Sequence, residues 1–300
     1  MQTVELNRVR KSYDKFVAVD ELSFSIAPGE IFGLLGPNGA GKTSSIRMMI
    51  GILLPDSGEV RVFGEPFRRA HLERIGYLPE ERGLYKKMKI EEHLVLLGRL
   101  HGLSAGAAAQ KARYWTERLE IASWLPKKVE ELSKGMQQKI QFAAALMHDP
   151  DLIIMDEPFS GLDPVNANVL KEVISELKRA GKSILFSTHQ MEQVEQLCDS
   201  ILLINHGKAV LEGRLREVKS RYPRETVQIE YEGDGAFLGQ HPAVKAASRT
   251  GAYTELHLAA GADPQALLQA AAARLRVNRF ELMEPSLEQI FIQVVGTGNA

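Results

Sequence analysis

Asp156 and Glu157 are adjacent carboxylates that follow an apolar run at residues 152–155. Four apolar residues in a row predict a strand that is buried on both faces of a parallel sheet. Two carboxylates at the end of such a strand are costly to hold without a partner. An Asp can hold Mg²⁺, often through water, and a Glu can take a proton from an attacking water. The same segment is equally consistent with an ordinary strand that ends in a solvated acidic turn.

A second motif, at residues 36–43, decides between these two interpretations because it is a complete G-x-x-x-x-G-K-[ST] pattern. Its glycines let backbone N–H groups turn inward around phosphate oxygens, and a following helix N-terminus adds positive potential. Lys42 is expected to reach the β- and γ-phosphates, and Thr43 to offer its hydroxyl to Mg²⁺. The residues predicted to bind a nucleotide here are Gly36, Pro37, Asn38, Gly39, Ala40, Gly41, Lys42, Thr43 and Ser44.

The strands that must position these motifs predict an α/β fold. Residues 1–30 and 57–66 alternate like antiparallel strands, and the apolar run at 183–187 ends at His189. Ligands bind at the carboxyl ends of core strands in open α/β sheets, so His189 is a candidate catalytic residue. A lone histidine is in general more often structural than catalytic, and this alternative stays open here.

The helices have recognisable starts. Apolar residues at helical spacing predict a helical subdomain from about residue 86 to 148. Ser133 is a candidate N-cap within it. Asp163 as N-cap, with Pro164 at the first helical position, predicts a further helix.

The composition shifts near residue 222, and this shift predicts two domains. We expect a nucleotide-binding domain at residues 1–221 and a small α+β accessory domain at residues 222–300. The second part contains no catalytic constellation, so its default roles are packing, dimerisation or regulation.

Composition limits the kinds of partner. The chain has 300 residues, a formal net charge of −1 and a single cysteine. Near-neutral charge gives no global footprint for nucleic acid, so no nucleic-acid partner is expected. No apolar run approaches the roughly 18 residues needed to span a bilayer. We therefore expect a cytoplasmic protein whose membrane role, if it has one, comes through a partner.

Together these motifs resemble the ATP-binding subunit of an ABC transporter, over residues 1 to about 220. The resemblance implies an ATPase that uses ATP and Mg²⁺. The implied fold is a P-loop NTPase domain with a mostly parallel core sheet, an antiparallel N-terminal β subdomain and a helical subdomain. The motifs that carry the resemblance are Walker A (36–43), the signature (132–137), Walker B (152–157), the D-loop (160–163) and the switch histidine His189.

The resemblance also implies a role for each of these residues. Glu157 polarises the attacking water, His189 contacts the γ-phosphate, and Tyr13 stacks on adenine. The implied Mg²⁺ ligands are Thr43, Asp156 and Glu80. Two copies of the chain pair head to tail, so that Ser133, Gly135 and Asp163 complete the nucleotide site of the other copy. A separate transmembrane permease is the implied partner, and it holds the protein at the inner face of the cell membrane.

Three residues depart from the family pattern. Glu80 stands where the family usually has Gln; it still offers an oxygen ligand for Mg²⁺ but cannot donate a hydrogen bond when ionised. Lys134 and Met136 stand where the signature usually has Gly and Gln. Lys134 could add attraction to phosphate, but charged side chains at a helix start are usually solvated, so we expect it to point to solvent.

Residues 76–85 and 284–291 resemble a narrower group, the ABC-2-type exporter subunits that carry a small C-terminal domain. Two other interpretations remain at this stage. A soluble ABC ATPase acting in translation or DNA maintenance would usually carry two tandem nucleotide domains or a long coiled-coil insertion. A P-loop kinase or GTPase outside this family is disfavoured by the helix start at 132–138 and by His189.

Overall fold

The computed structural model describes residues 1–81, 83–251 and 253–296. Arg82, which belongs to the exporter-like stretch at residues 76–85, therefore lies outside the described residues. The chain divides into an N-terminal unit, Met1–Leu215, and a C-terminal unit, Arg216–Ala300. This division lies six residues before the boundary that the sequence predicts at 221/222. No helix in the described residues is long and apolar enough to cross a membrane.

Ten strands and six α-helices form the N-terminal unit within the described residues. The strands are β1 (Val4–Tyr13), β2 (Phe16–Ile26), β3 (Ile31–Leu35), β4 (Ser57–Val62), β5 (Glu65–Pro66), β6 (Ile75–Leu78), β7 (Leu152–Asp156), β8 (Ser183–Thr188), β9 (Ser200–Asn205) and β10 (Lys208–Arg214). The helices are α1 (Lys42–Met49), α2 (Ile90–Leu100), α3 (Ala105–Arg118), α4 (Lys134–Leu146), α5 (Pro164–Arg179) and α6 (Met191–Leu197). A short helix, α7 (Leu215–Ser220), begins where the chain divides.

The central sheet has six strands in the order β10-β9-β3-β8-β7-β6. All its neighbouring pairs are parallel except β10 with β9. Every residue of β3, β7 and β8 is buried. These strands read as continuous apolar runs because both of their faces are covered, as the sequence predicts.

A second, antiparallel sheet has the order β2-β1-β4-β5. One apolar cluster joins this sheet, helix α1 and the central sheet. Because α1 follows the glycine loop directly, this packing fixes the loop relative to the strand ends. The members of the cluster include Val4, Leu22 and Phe24 of the antiparallel sheet, Ile46 and Met49 of α1, and Leu34 and Ile154 of the central sheet.

Both predicted N-caps are confirmed. Ser133 Oγ accepts a hydrogen bond from the Met136 amide at 3.2 Å, and Asp163 Oδ1 accepts one from the Asn166 amide at 2.9 Å. Each side chain pairs a helical N–H group that has no intrahelical acceptor. Lys134, in the first turn of α4, is exposed as the sequence predicts.

The elements of the C-terminal unit are β11 (Thr226–Glu232), β12 (Val244–Thr250), β13 (Tyr253–Leu258), α8 (Pro264–Ala272), β14 (Arg276–Met283) and α9 (Leu287–Gly296). Its sheet has the order β12-β13-β11-β14, and every neighbouring pair is antiparallel. Along the chain, a short 3₁₀ helix links β11 to β12, and α8 links β13 to β14. This is the β-α-β-β-α-β pattern. Alternate residues of β11 and β13 pack with α8 in a separate core.

Candidate active site

Four parallel strands, β3, β6, β7 and β8, end at the same edge of the central sheet. Their register pairs Leu35 of β3 with Thr188 of β8, and Asp156 of β7 with Ser187 of β8. The end of β6 lies beside β7 in the same way. The segments that follow these strands carry Lys42, Glu80, Glu157 and His189, so residues far apart in sequence meet at one edge.

The glycine loop needs two of its glycines for backbone reasons. Gly36 has φ 151°, and a Cβ there would lie 2.2 Å from the carbonyl oxygen of Ile204. Gly41 has φ 107° and caps α1, and a Cβ there would lie 2.4 Å from the carbonyl oxygen of Ala18. Neighbouring strands therefore press on the loop so closely that only glycine fits.

Lys42 is the cation at the centre of the site, and its side chain is nearly buried. Its Nζ donates to the carbonyl oxygens of Gly36 at 2.7 Å and Pro37 at 3.2 Å, and lies 3.8 Å from Glu157 Oε1. Burial lowers the pKa of Lys42, while the carboxylates of Glu157, Asp156 and Glu80 oppose that shift. The loop thus holds a positive charge directly beside the acidic pair.

Asp156 is 1 % exposed, and its two carboxylate oxygens differ in their partners. Ser187 Oγ donates to Oδ1. Oδ2 is buried and has no hydrogen-bond partner among the described residues. An unpaired buried carboxylate oxygen is costly, and a bound cation or its water would satisfy it.

Glu157, at 8 % exposure, turns back from the strand end with φ 52°, in the left-handed region that a Glu rarely adopts. His189 Nδ1 lies 2.9 Å from Glu157 Oε1, and Thr188 Oγ1 donates to Oε2 at 3.2 Å. Because an ionised carboxylate only accepts, the Nδ1–H of His189 is the donor in this contact. The strained turn aims the Glu157 carboxylate at Lys42 and His189.

A cleft of about 310 Å³ lies over these groups, within the size range of ligand pockets. It brings together the predicted residues Tyr13, Glu80, Asp156 and Glu157 with most of the glycine loop. Gly36 and Pro37 reach the site through their contacts with Lys42, and His189 through Glu157. The cleft is lined by Tyr13, Phe16, Ala18, Asn38, Gly39, Ala40, Gly41, Lys42, Thr43, Ser44, Glu80, Asp156 and Glu157.

Ser133, Gly135 and Asp163 do not line this cleft. Ser133 and Gly135 lie at the start of α4 instead, and Asp163 lies at the start of α5. A Cβ placed on Gly135 would lie 3.4 Å from the carbonyl oxygen of Gly161 and 3.4 Å from a methyl carbon of Leu162. Within one chain, the signature thus adjoins the D-loop rather than the phosphate loop.

Ser187, Thr188 and Phe16 are site residues that the sequence analysis missed. Ser187 and Thr188 are polar residues at the end of an otherwise apolar strand, and this polarity was the available signal. Their partners could not be read because the pairing of β8 with β7 is a tertiary property. Phe16 is close to Tyr13 in sequence, and its exposure in a folded chain could not be foreseen.

The donor set fits a nucleotide and Mg²⁺. The cleft offers the Thr43 hydroxyl, the unpaired Asp156 oxygen and the Glu80 carboxylate, which are the oxygen ligands that Mg²⁺ prefers. In the described residues, no group of three or more His, Cys, Asp or Glu side chains is suited to hold a metal alone. Mg²⁺ commonly takes one or two protein carboxylates and completes its shell with phosphate oxygens and water.

Comparisons with known proteins agree with this geometry. The ABC transporter family profile matches residues 19–160, and the profile of the C-terminal domain of DrrA1-3-like ATP-binding proteins matches residues 213–295. The ABC transporter ATP-binding protein YhaQ of Bacillus subtilis is 44 % identical over 97 % of this chain and 98 % of its own length. The Nod factor export ATP-binding protein I of Paraburkholderia xenovorans is 43 % identical over 70 % of each chain. A solved structure of the ATP-binding subunit of an ABC transporter has a TM-score of 0.67 and 31 % identity, over 73 % of this chain and 92 % of that one.

Proposed function

This chain belongs to the family of ABC transporter ATP-binding proteins, and we propose that it is the ATPase subunit that drives an exporter through a separate membrane-spanning partner. The observation that supports the proposal best is the meeting of Lys42, Glu157 and His189 at one sheet edge, beside the unpaired oxygen of Asp156. ATP hydrolysis needs groups that bind the phosphates, a base that accepts the proton of the attacking water, and a charged group that holds the phosphates and the base in place relative to each other.

Within one chain, Lys42 and the loop amides bind the β- and γ-phosphates of ATP. Glu157 accepts the proton of the attacking water, and His189, hydrogen-bonded to Glu157, orients that water against the γ-phosphate. Tyr13 and the neighbouring Phe16 offer aromatic faces to the adenine. Thr43, Asp156 and Glu80 would hold Mg²⁺, which neutralises charge on the phosphate oxygens when it is bound.

A second copy of the chain completes each site in this proposal. Ser133 and Gly135 lie at the N-terminus of α4, whose unpaired amides and positive dipole end favour an anion. They stand outside their own chain's cleft, as residues that serve a partner's nucleotide would. Asp163, at the adjacent start of α5, is assigned to the same contact. Head-to-tail pairing therefore closes two sites together.

The membrane partner is a permease on a separate chain. The name of the Paraburkholderia relative, a Nod factor export ATP-binding protein, supports export as the direction. We place the protein in the cytoplasm, on the inner face of the membrane. We assign residues 1–221 to the motor and residues 222–300 to an accessory role.

Co-purification tests this partnership. The tagged chain, expressed in its own host and extracted from washed membranes with mild detergent, is expected to carry an integral membrane protein in near-constant ratio. The control is a tagged ATP-binding protein from the soluble fraction of the same cells. A tagged chain recovered only from the soluble fraction, with no membrane protein bound, would contradict the transport role and favour a soluble ABC ATPase.

The role of Glu80 makes a separate prediction. A neutral amide is a weaker Mg²⁺ ligand than a carboxylate, so Glu80→Gln should raise the Mg²⁺ concentration for half-maximal ATPase while maximal turnover stays within roughly tenfold. Glu80→Ala should lose more, because it leaves no oxygen ligand. Glu81→Gln is the matched control, one residue along the same loop. Identical Mg²⁺ titrations for the wild type and both Glu80 variants would remove Glu80 from the metal site.

A further inference from the structure

Gln141, in the middle of α4, donates two hydrogen bonds into the loop that carries Glu80. Its Nε2 lies 3.0 Å from the carbonyl oxygen of Pro79 and 3.2 Å from that of Glu81. These carbonyls stand on either side of Glu80 in the chain. Both partners are acceptors, so the NH₂ end of the amide must face the loop. A single buried side chain therefore fixes the backbone around Glu80.

The oxygen end of the Gln141 amide indicates that this side chain does not serve mainly to stabilise the fold. Gln141 is 6 % exposed, and its Oε1 is buried without a partner among the described residues. A buried acceptor that is left unpaired lowers the stability of the fold, and an apolar side chain of the same size would avoid that cost. The two donated bonds are what an apolar side chain could not supply.

A second glutamine on α4 holds the other acidic loop. Gln138, one turn before Gln141, donates from Nε2 to the carbonyl oxygen of Pro158 at 3.1 Å. Pro158 follows Glu157 directly. Residues three apart on a helix are neighbours on one face. One face of α4 thus contacts both carboxylate loops of the site, and the same helix begins at Ser133.

We propose that Gln141 is a positioning residue. It holds Glu80 at the metal end of the cleft, where Thr43 and Asp156 also lie, and it ties the Glu80 loop to α4, the helix that Ser133 caps. The part played by Glu80 and Ser133 rests on the proposed function; the tie itself rests on the two hydrogen bonds alone. A rigid helix moves as one body, so a displacement of its start by the second copy's nucleotide reaches the Glu80 loop through Gln141. Closure of one site is thereby passed to the metal end of the other.

Gln141→Met tests the tie because it keeps the length of the side chain and removes both donors. Without these two hydrogen bonds the loop should open more often. Amide hydrogen exchange, followed by mass spectrometry on the nucleotide-free protein, should be roughly threefold to tenfold faster in the peptide that contains Glu80. Gln141→Glu, which keeps the shape but cannot donate when ionised, should behave in the same way and serves if the Met variant folds poorly.

Lys139→Met is the matched control on the same helix. Lys139 Nζ donates to the carbonyl oxygen of Leu119 at 2.9 Å, so this variant also removes a buried link from α4 to a backbone carbonyl. Exchange in the Glu80 peptide should stay at the wild-type rate in Lys139→Met. Gln138→Met should speed exchange after Glu157 instead. Equal exchange of the Glu80 peptide in wild type and both Gln141 variants, or equal acceleration by Lys139→Met, would overturn the inference.

The Mg²⁺ titration connects the tie with function. Gln141→Met should raise the half-maximal Mg²⁺ concentration by about twofold to fivefold in the wild-type background and have little effect in Glu80→Ala. An equal shift in both backgrounds would overturn the role of Gln141 in positioning Glu80. If exchange is faster but every Glu80 variant titrates like the wild type, the tie stands and the metal role of Glu80 in the proposed function fails.

Discussion

Lys42→Ala should abolish useful ATP binding. The substitution removes the side-chain cation of the phosphate loop, which now lies against the carbonyl oxygens of Gly36 and Pro37 and 3.8 Å from Glu157. Charge-assisted hydrogen bonds are worth about 1.5–3 kcal/mol each, so losing two to phosphate should weaken binding by roughly 10²- to 10⁴-fold. Titration with ATP by calorimetry, or with a fluorescent ATP analogue, measures the loss.

Lys182→Ala is the control for the loss of a lysine from the same unit. Lys182 pairs with Asp149 and Asp151, and it does not line the cleft. Its variant should bind ATP like the wild type. An affinity of Lys42→Ala within about threefold of wild type would show that this loop is not the nucleotide site.

Glu157→Gln should leave ATP binding intact and stall hydrolysis. Glutamine keeps the size of the side chain and its contact distance to His189 but cannot take a proton from water. A positioned general base contributes typically about 10²- to 10⁴-fold, so turnover should fall by that factor. With ATP held and not consumed, a dimer should accumulate and be visible by light scattering coupled to size-exclusion chromatography.

The control for this substitution is Glu176→Gln. Glu176 pairs with Arg118 at a partly exposed position of α5 and does not line the cleft. It should hydrolyse ATP at the wild-type rate and form no ATP-dependent trapped dimer. Wild-type turnover by Glu157→Gln would show that Glu157 is not the base, and an unhydrolysed ATP complex that stays monomeric would contradict the proposed pairing.

Features encoded by neighbouring residues were readable from the sequence. The glycine loop, the buried strand before the acidic pair and the N-caps Ser133 and Asp163 depend on residues a few positions apart, and the structure shows each as predicted. The parallel sheet was predicted from continuous apolar runs, and the helices between these runs were predicted from apolar residues at helical spacing. The ABC family could be recognised from the sequence because its motifs lie in short segments, in a fixed order.

Contacts between distant segments were decided only by the tertiary structure. The pairing of β7 with β8 brings Ser187 to Asp156 and leaves one carboxylate oxygen free for a ligand. The packing of α4 against the end of β6 brings Gln141 to the Glu80 loop across about 60 residues of chain. Sequence spacing fixes which face of a helix a residue occupies, but strand register and helix packing decide what that face touches, because both depend on the whole core.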